Sequence, residues 1–235
     1  LPPWKDESAT IFFSLGNSFY NVRLDQFIGL DALLEPLQVS SATGISDVID
    51  RLLTESTHPP VYFVLTHLWL KIFSPEAGLV SLWGARSLSA LLGVISIPAI
   101  FGFTRFAFRS LIVAQIAAAL MAISPFGIFL ALQARHYTLT ILLIIASLFC
   151  FIYAFRSINR GEIIPLWLVW LWIGINCLGI ATHYFFVLTV AAIAISFIPL
   201  MWRQFRQDKT VLFRPQWRRI YLVALGSLVG CLVWL

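Results

Sequence analysis

Residues 128–145 read IFLALQARHYTLTILLII, two apolar runs that meet at a polar turn. The same contrast extends through the chain, which has 235 residues, 60% of them hydrophobic and 11% charged. A soluble domain of this length cannot bury so much apolar surface, and several runs reach the roughly 20 residues that cross a bilayer. The composition therefore predicts an all-α fold, a polytopic membrane helix bundle.

The apolar runs also place the individual spans. We expect them at about 82–104, 111–134, 137–155, 164–182 and 184–202, with a truncated one from 221. Residues 1–81 are of mixed composition and predict a large outer loop with amphipathic helices, so that residues 82–235 form the transmembrane bundle. Within that loop, residues 60–73 are apolar but too short to cross, which favours a helix lying along the interface. The abrupt ends suggest a piece of a longer protein, whose first span and C-terminal part we expect to lie outside it.

Loop charges predict the topology. Segments 104–110, 156–162 and 203–219 hold ten basic residues and two acids, whereas the other charged segments hold six basic residues and nine acids. The positive-inside rule places the first set in the cytoplasm, so the net charge of +5 indicates membrane orientation and not nucleic-acid binding. All four histidines then fall on the non-cytoplasmic side. The three cysteines lie inside apolar runs and predict neither disulfides nor a metal cluster.

Two polar clusters of the outer loop each allow two interpretations. Asp6 and Glu7 are either acids that stabilise the first turn of a helix or a carboxylate pair that includes a general base. His58, in STHPPVY, either caps a helix start or acts as a hydrogen-bond donor or metal ligand at the membrane surface. The sequence indicates no definite cofactor, although a divalent metal would be compatible with His58.

Polar residues at the outer ends of the spans are equally open. Arg86 is either an anchor that reaches the lipid headgroups or a ligand that donates two parallel hydrogen bonds to a phosphate. Arg135, with His136 and Tyr137, is an unusual outer-face cation that calls for an anion, either Asp6, Glu7 or a lipid phosphate. His183 and Tyr184 form a weaker candidate, because such pairs are most often part of an interfacial aromatic belt.

The order of these motifs supports a family resemblance. DES, THPPVYFVLTHLWLKIF, ARSLSALLG, ISPFGIFLALQARHYTL and THYFFVL follow one another along the chain. Together they resemble the GT-C superfamily of membrane glycosyltransferases, in particular the bacterial branch similar to protein O-mannosyltransferases and lipid A aminoarabinose transferases. The resemblance implies transfer of a sugar from a polyprenyl-phosphate donor to a lipid, glycan or protein acceptor, on the non-cytoplasmic side of a bacterial plasma membrane.

The resemblance also implies roles for single residues. Asp6 would be the catalytic carboxylate with Glu7 in support, and His58 would border the donor phosphate. Arg135 and Tyr137 would hold that phosphate or orient the outer loop. The implied substrate-binding set is completed by Arg86, His183 and Tyr184.

Two non-enzymatic alternatives stay open at this point. The first is part of a transporter or flippase that moves a lipid-linked sugar. The second is a structural membrane subunit. Transporters bury ionisable residues near the bilayer midplane. The predicted spans carry no charge at that depth, which favours an enzyme that acts at the membrane surface.

Overall fold

A computed structural model describes residues 2–18, 20, 26–40, 42–73 and 77–232 of the chain. The described part is an all-α membrane helix bundle, which confirms the predicted fold class. Its helices are α1 (Lys5–Ser14), α2 (Leu30–Leu34), α3 (Ile45–Glu55), α4 (Val61–Phe73), α5 (Leu82–Phe108), α6 (Leu111–Ile123), α7 (Pro125–Ala131), α8 (Tyr137–Asn159), α9 (Leu166–Ile180), α10 (Phe186–Gln207) and α11 (Pro215–Leu232). Two short strands, β1 (Gln38–Ser40) and β2 (Ala77–Leu79), pair antiparallel.

Three helices, α5, α8 and α10, are long and apolar enough to cross a membrane. The predicted span at 111–134 is instead a pair, α6 and α7, bent by 57°. The bend has a local cause, because Pro125 lacks an N–H and the Ser124 hydroxyl accepts from the Gly127 N–H at 3.1 Å to start a new helix. Counting that pair as one span gives up to four candidates in the described residues. The run at 164–182 forms α9, an apolar helix of only 15 residues.

The chain divides into two compact units, and the first comprises residues 1–96 and 121–139. In this unit α1 packs on α3 and α4. Phe13 of α1, Val48 and Leu52 of α3, and Phe63 of α4 form one buried apolar cluster. The predicted helix at 60–73 is therefore present as α4 and packs through one face. Its position relative to the membrane, and the predicted division of the chain at residue 81, stay predictions.

The second unit comprises residues 97–120 and 140–235. Its core holds Trp172, Phe197 and Trp217. A buried polar chain links three helices: the Trp172 indole donates to Ser147 Oγ at 2.9 Å, and Ser147 donates to Asn176 Oδ1 at 2.8 Å. Asn176 in turn donates to Ser227 Oγ at 2.9 Å. Each of these polar atoms has a hydrogen-bond partner, so the buried hydrogen bonds fix the register of α8, α9 and α11.

Candidate active site

Glu7 lies in the first turn of α1 and bonds to two other parts of the first unit. Its side chain is 1% exposed. Oε1 accepts from Arg86 Nε at 2.7 Å and from the Ala134 N–H at 2.9 Å, while Oε2 accepts from Arg86 Nη2 at 2.8 Å. One carboxylate thus ties α1 to α5 and to the turn between α7 and α8.

The charge of Glu7 is set by these contacts. Burial raises the pKa of Glu7, but the hydrogen bonds from Arg86 and Ala134 and the positive charge of Arg86 outweigh burial. The net pKa lies below the ordinary carboxyl value, so Glu7 is ionised at neutral pH.

Asp6 precedes Glu7 but has a different environment. Its side chain is half-buried, and within the described part of the chain its carboxylate accepts no hydrogen bond and forms no ion pair. Its backbone carbonyl, by contrast, accepts from Thr10 Oγ1 at 2.9 Å and from Arg135 Nη1 at 3.0 Å. The Asp6 main chain is therefore fixed while its carboxylate is left available to a ligand.

Arg135 lies in the polar turn and is 4% exposed. Its Nη1 donates to Asp6 O and, at 2.8 Å, to Thr10 Oγ1, and its guanidinium lies 5.5 Å from the centre of the Tyr137 ring. The expected proximity of Arg135 to the Asp6 region is confirmed across 129 positions of sequence. No carboxylate pairs with Arg135 among the described residues, and its Nε has no hydrogen-bond partner there.

A hydrogen bond from α5 holds the backbone of the polar turn at Arg135. Ser89 Oγ donates to the Arg135 carbonyl at 3.1 Å and lies 2.6 Å from the Tyr62 hydroxyl. Burial raises the pKa of Tyr62 to about 12, so the phenol keeps its proton and a hydrogen bond can persist at any physiological pH. The buried arginine is thus fixed at its side chain by α1 and at its main chain by Ser89 of α5, which Tyr62 of α4 contacts in turn.

His58 occupies the loop before α4 and is exposed. Its Nδ1 is 3.0 Å from Ser56 Oγ, and its ring meets Phe63 edge-on with centroids 5.9 Å apart. Partial loss of solvent and the charge of Arg135 lower the pKa of His58, and the charge of Asp6 opposes them. The charges of Asp6 and Arg135 therefore both act on His58.

The remaining candidates have other surroundings. Arg86 is committed to Glu7 through two hydrogen bonds, a partner that the sequence did not assign to it. His183 and Tyr184 belong to the second unit, where His183 Nδ1 accepts from the Phe185 N–H at 3.1 Å in the turn before α10. No group of three or more His, Cys, Asp or Glu that could hold a metal ion occurs in the described ranges.

A cavity of about 380 Å³ opens beside the Glu7–Arg86 pair. Its wall is largely apolar, and it is lined by Pro2, Trp4, Glu7, Arg86, Phe129, Leu132 and Gln133. A volume of this size suits a small ligand or part of a larger one.

Sequence reasoning missed Thr10, Ser89 and Tyr62, which position the charged residues. Thr10 follows Asp6 by four positions, so both lie on one face of α1, and this spacing was a usable signal. Ser89 and Tyr62 gave none, because their roles depend on which helices pack together.

A comparison with protein families decides the class of the protein. The profile of the dolichyl-phosphate-mannose-protein mannosyltransferases matches residues 57–234. The chain belongs to this family. The mannosyltransferase match starts next to His58 and includes Arg86 and Arg135, and membership makes the protein a membrane glycosyltransferase, as the resemblance implied. No curated protein and no solved structure matches the chain.

Proposed function

We propose that the protein transfers a sugar from a polyprenyl-phosphate donor to an acceptor hydroxyl on the non-cytoplasmic side of a bacterial plasma membrane. The observation that carries this proposal is that Arg135, a buried arginine without a carboxylate partner among the described residues, contacts the main chain of Asp6, whose carboxylate is available. Family membership supports sugar transfer, and the charges at the site support a phosphate-linked donor.

Asp6 serves as the general base. As the acceptor oxygen attacks the anomeric carbon of the donor sugar, its proton passes to the Asp6 carboxylate. The bond between that carbon and the phosphate oxygen breaks, and polyprenyl phosphate leaves with the bonding electrons. The half-buried carboxylate has the access that this step requires.

Arg135 stabilises the leaving phosphate. A buried cation is costly when no anion accompanies it, and a phosphate would supply the missing charge. Since only Nη1 of Arg135 donates to described protein atoms, Nε and Nη2 are available for a charge-assisted contact with phosphate oxygens. A fixed donor aimed at developing charge lowers the barrier without reorganisation.

Glu7 and Arg86 hold the site together and take no part in proton transfer. Both oxygens of Glu7 already accept hydrogen bonds, and its lowered pKa disfavours protonation. This proposal gives Glu7 a positioning role beside the catalytic Asp6. It also moves Arg86 from phosphate binding to the orientation of Glu7.

Reconstitution of the full-length protein in sealed vesicles tests the proposal. We expect a labelled sugar to pass from a polyprenyl-phosphate carrier to an acceptor, with release of one polyprenyl phosphate per sugar transferred. The proposal would be contradicted if the intact lipid-linked sugar crossed the membrane and no sugar was transferred from any polyprenyl-phosphate donor. That result would favour a flippase.

A further inference from the structure

A strongly basic surface surrounds the connection between α10 and α11. Within residues 202–221 the sequence has six cations and one acid, Asp208. The cations are Arg203, Arg206, Lys209, Arg214, Arg218 and Arg219, of which all but the half-buried Arg219 are exposed. We call these six residues the α10–α11 basic surface.

The connection is folded and not a loose linker. Asp208 accepts from the Thr210 N–H at 2.8 Å, from Thr210 Oγ1 at 2.7 Å and from Arg214 Nη2 at 2.7 Å. The indole of Trp217 donates to Gln204 Oε1 at 3.0 Å, which joins the start of α11 to the end of α10. The cations are therefore displayed in a defined arrangement.

Most of the positive charge on this surface is uncompensated. Asp208 pairs with Arg214 at 2.7 Å. In the part of the chain that the structure describes, Arg206, Lys209, Arg218 and Arg219 form no ion pair. A cluster of four such cations within 14 positions repels itself unless an anionic partner is present.

Exposed aromatic side chains accompany these cations. Trp202 is 58% exposed and Phe213 is 73% exposed, and the Arg206 guanidinium lies 5.4 Å from the Trp202 ring centre. Aromatic rings with cations beside them are typical of the headgroup level of a bilayer. A water-soluble acidic partner would explain the exposed cations but not the exposed side chain of Phe213.

The position of the surface along the chain specifies its environment. Helix α10 is one of the three helices able to cross a membrane, and it ends at Gln207. The seven residues 208–214 then lead into α11, so the cations lie at and directly after the end of a candidate span. We propose that the α10–α11 basic surface binds anionic phospholipid headgroups. This proposal does not depend on the proposed reaction.

Lipid retention by the purified full-length protein tests the proposal. The protein is placed in nanodiscs of phosphatidylcholine with a minor share of phosphatidylglycerol, and the lipids that stay bound after mild detergent extraction are counted by native mass spectrometry. We expect the wild type to retain phosphatidylglycerol preferentially. Arg206→Gln/Lys209→Gln/Arg218→Gln should lose this preference, at about fivefold per cation removed at low salt.

Two further variants separate charge at this surface from charge in general. Arg105→Gln/Arg109→Gln/Arg160→Gln removes the same charge from loops predicted to lie on the same side of the membrane, and it should keep the preference. Arg206→Lys/Arg218→Lys keeps the charge and should retain most of it. The proposal would be overturned if Arg105→Gln/Arg109→Gln/Arg160→Gln lost the preference for phosphatidylglycerol equally. It would also be overturned if the wild type showed no such preference at low salt. If the triple variant fails to fold, loss of the wild-type preference at high salt supports the proposal and a salt-independent preference overturns it.

Discussion

Arg86 and Glu7 meet across 79 positions of sequence through two parallel hydrogen bonds, of 2.7 Å from Nε to Oε1 and 2.8 Å from Nη2 to Oε2. The carboxylate is 1% exposed and the guanidinium side chain 22% exposed. In a largely buried pair of this geometry, removal of one partner leaves the other charge without compensation. The pair therefore holds α1, and with it Asp6, against α5.

A double-mutant cycle measures this contribution. Glu7→Gln, Arg86→Gln and the double variant should show a coupling energy of about 1–3 kcal/mol in the free energy of unfolding. The same cycle on Arg160 and Glu162, which are 3.8 Å apart and both 56% exposed, should give less than about 1 kcal/mol. Additive effects of Glu7→Gln and Arg86→Gln would contradict the positioning role.

The pH dependence of stability gives this prediction a second readout. Because the pKa of Glu7 is lowered in the folded protein, its contribution is fully present above the ordinary carboxyl value of 4.5. This contribution to stability is lost as the pH falls through the lowered pKa of Glu7 in the folded protein. The melting temperature of the wild type should thus fall more steeply below pH 4.5 than that of Glu7→Gln.

Arg135→Lys should weaken donor binding. Lys keeps the charge but has a single nitrogen. It cannot replace Nη1, which contacts Asp6 O and Thr10 Oγ1, and also offer the separate Nε and Nη2 donors to the proposed phosphate. A hydrogen bond to a charged group contributes about 1.5–3 kcal/mol, so the dissociation constant of a polyprenyl-phosphate sugar should rise about tenfold or more. Arg51→Lys, on α3, is the control. Unchanged donor affinity in Arg135→Lys would remove Arg135 from the phosphate site.

Close helix packing in the first unit can be tested at Gly93. A Cβ added there would lie 2.8 Å from Ala131 Cβ of α7, whereas one added at Gly102 of the same helix meets nothing within 4 Å. Gly93→Ala should destabilise the protein by about 1–3 kcal/mol. Gly102→Ala should be neutral or stabilising, since Ala favours helix over Gly by up to about 1 kcal/mol. Equal melting temperatures for the two variants would contradict this packing.

Cysteine labelling tests the predicted topology. Thr54 and Thr210 are both exposed, and the loop charges place them on opposite sides of the membrane. In a background with the native cysteines replaced by serine, an impermeant reagent outside sealed vesicles should label only one of Thr54→Cys and Thr210→Cys. Permeabilised vesicles should label both. Labelling of the two variants from the same side would refute the topology and with it the non-cytoplasmic site.

The sequence predicted the fold class well because apolar runs of about 20 residues are a local signal. Helices α5, α8 and α10 coincide with predicted spans. The bend at Pro125 was overlooked because long apolar runs on both sides outweighed the helix-start signal of Ser124 and Pro125. The position of Arg135 near Asp6 could be predicted, since an outer-face cation calls for an anion, but its contact with the Asp6 backbone carbonyl could not. The sequence could not predict that both oxygens of Glu7 accept hydrogen bonds. The donors come from residues 79 and 127 positions away and depend on tertiary packing.

Asp6→Asn tests the central claim most directly, because it keeps the shape of the side chain but removes the proton acceptor. Sugar transfer by the full-length protein from a polyprenyl-phosphate donor, measured beside donor binding, should fall about 10²–10⁴-fold in rate with little change in donor affinity. Asp50→Asn, an exposed aspartate of α3, should behave like the wild type. Wild-type transfer by Asp6→Asn would contradict the assignment of Asp6 as the base.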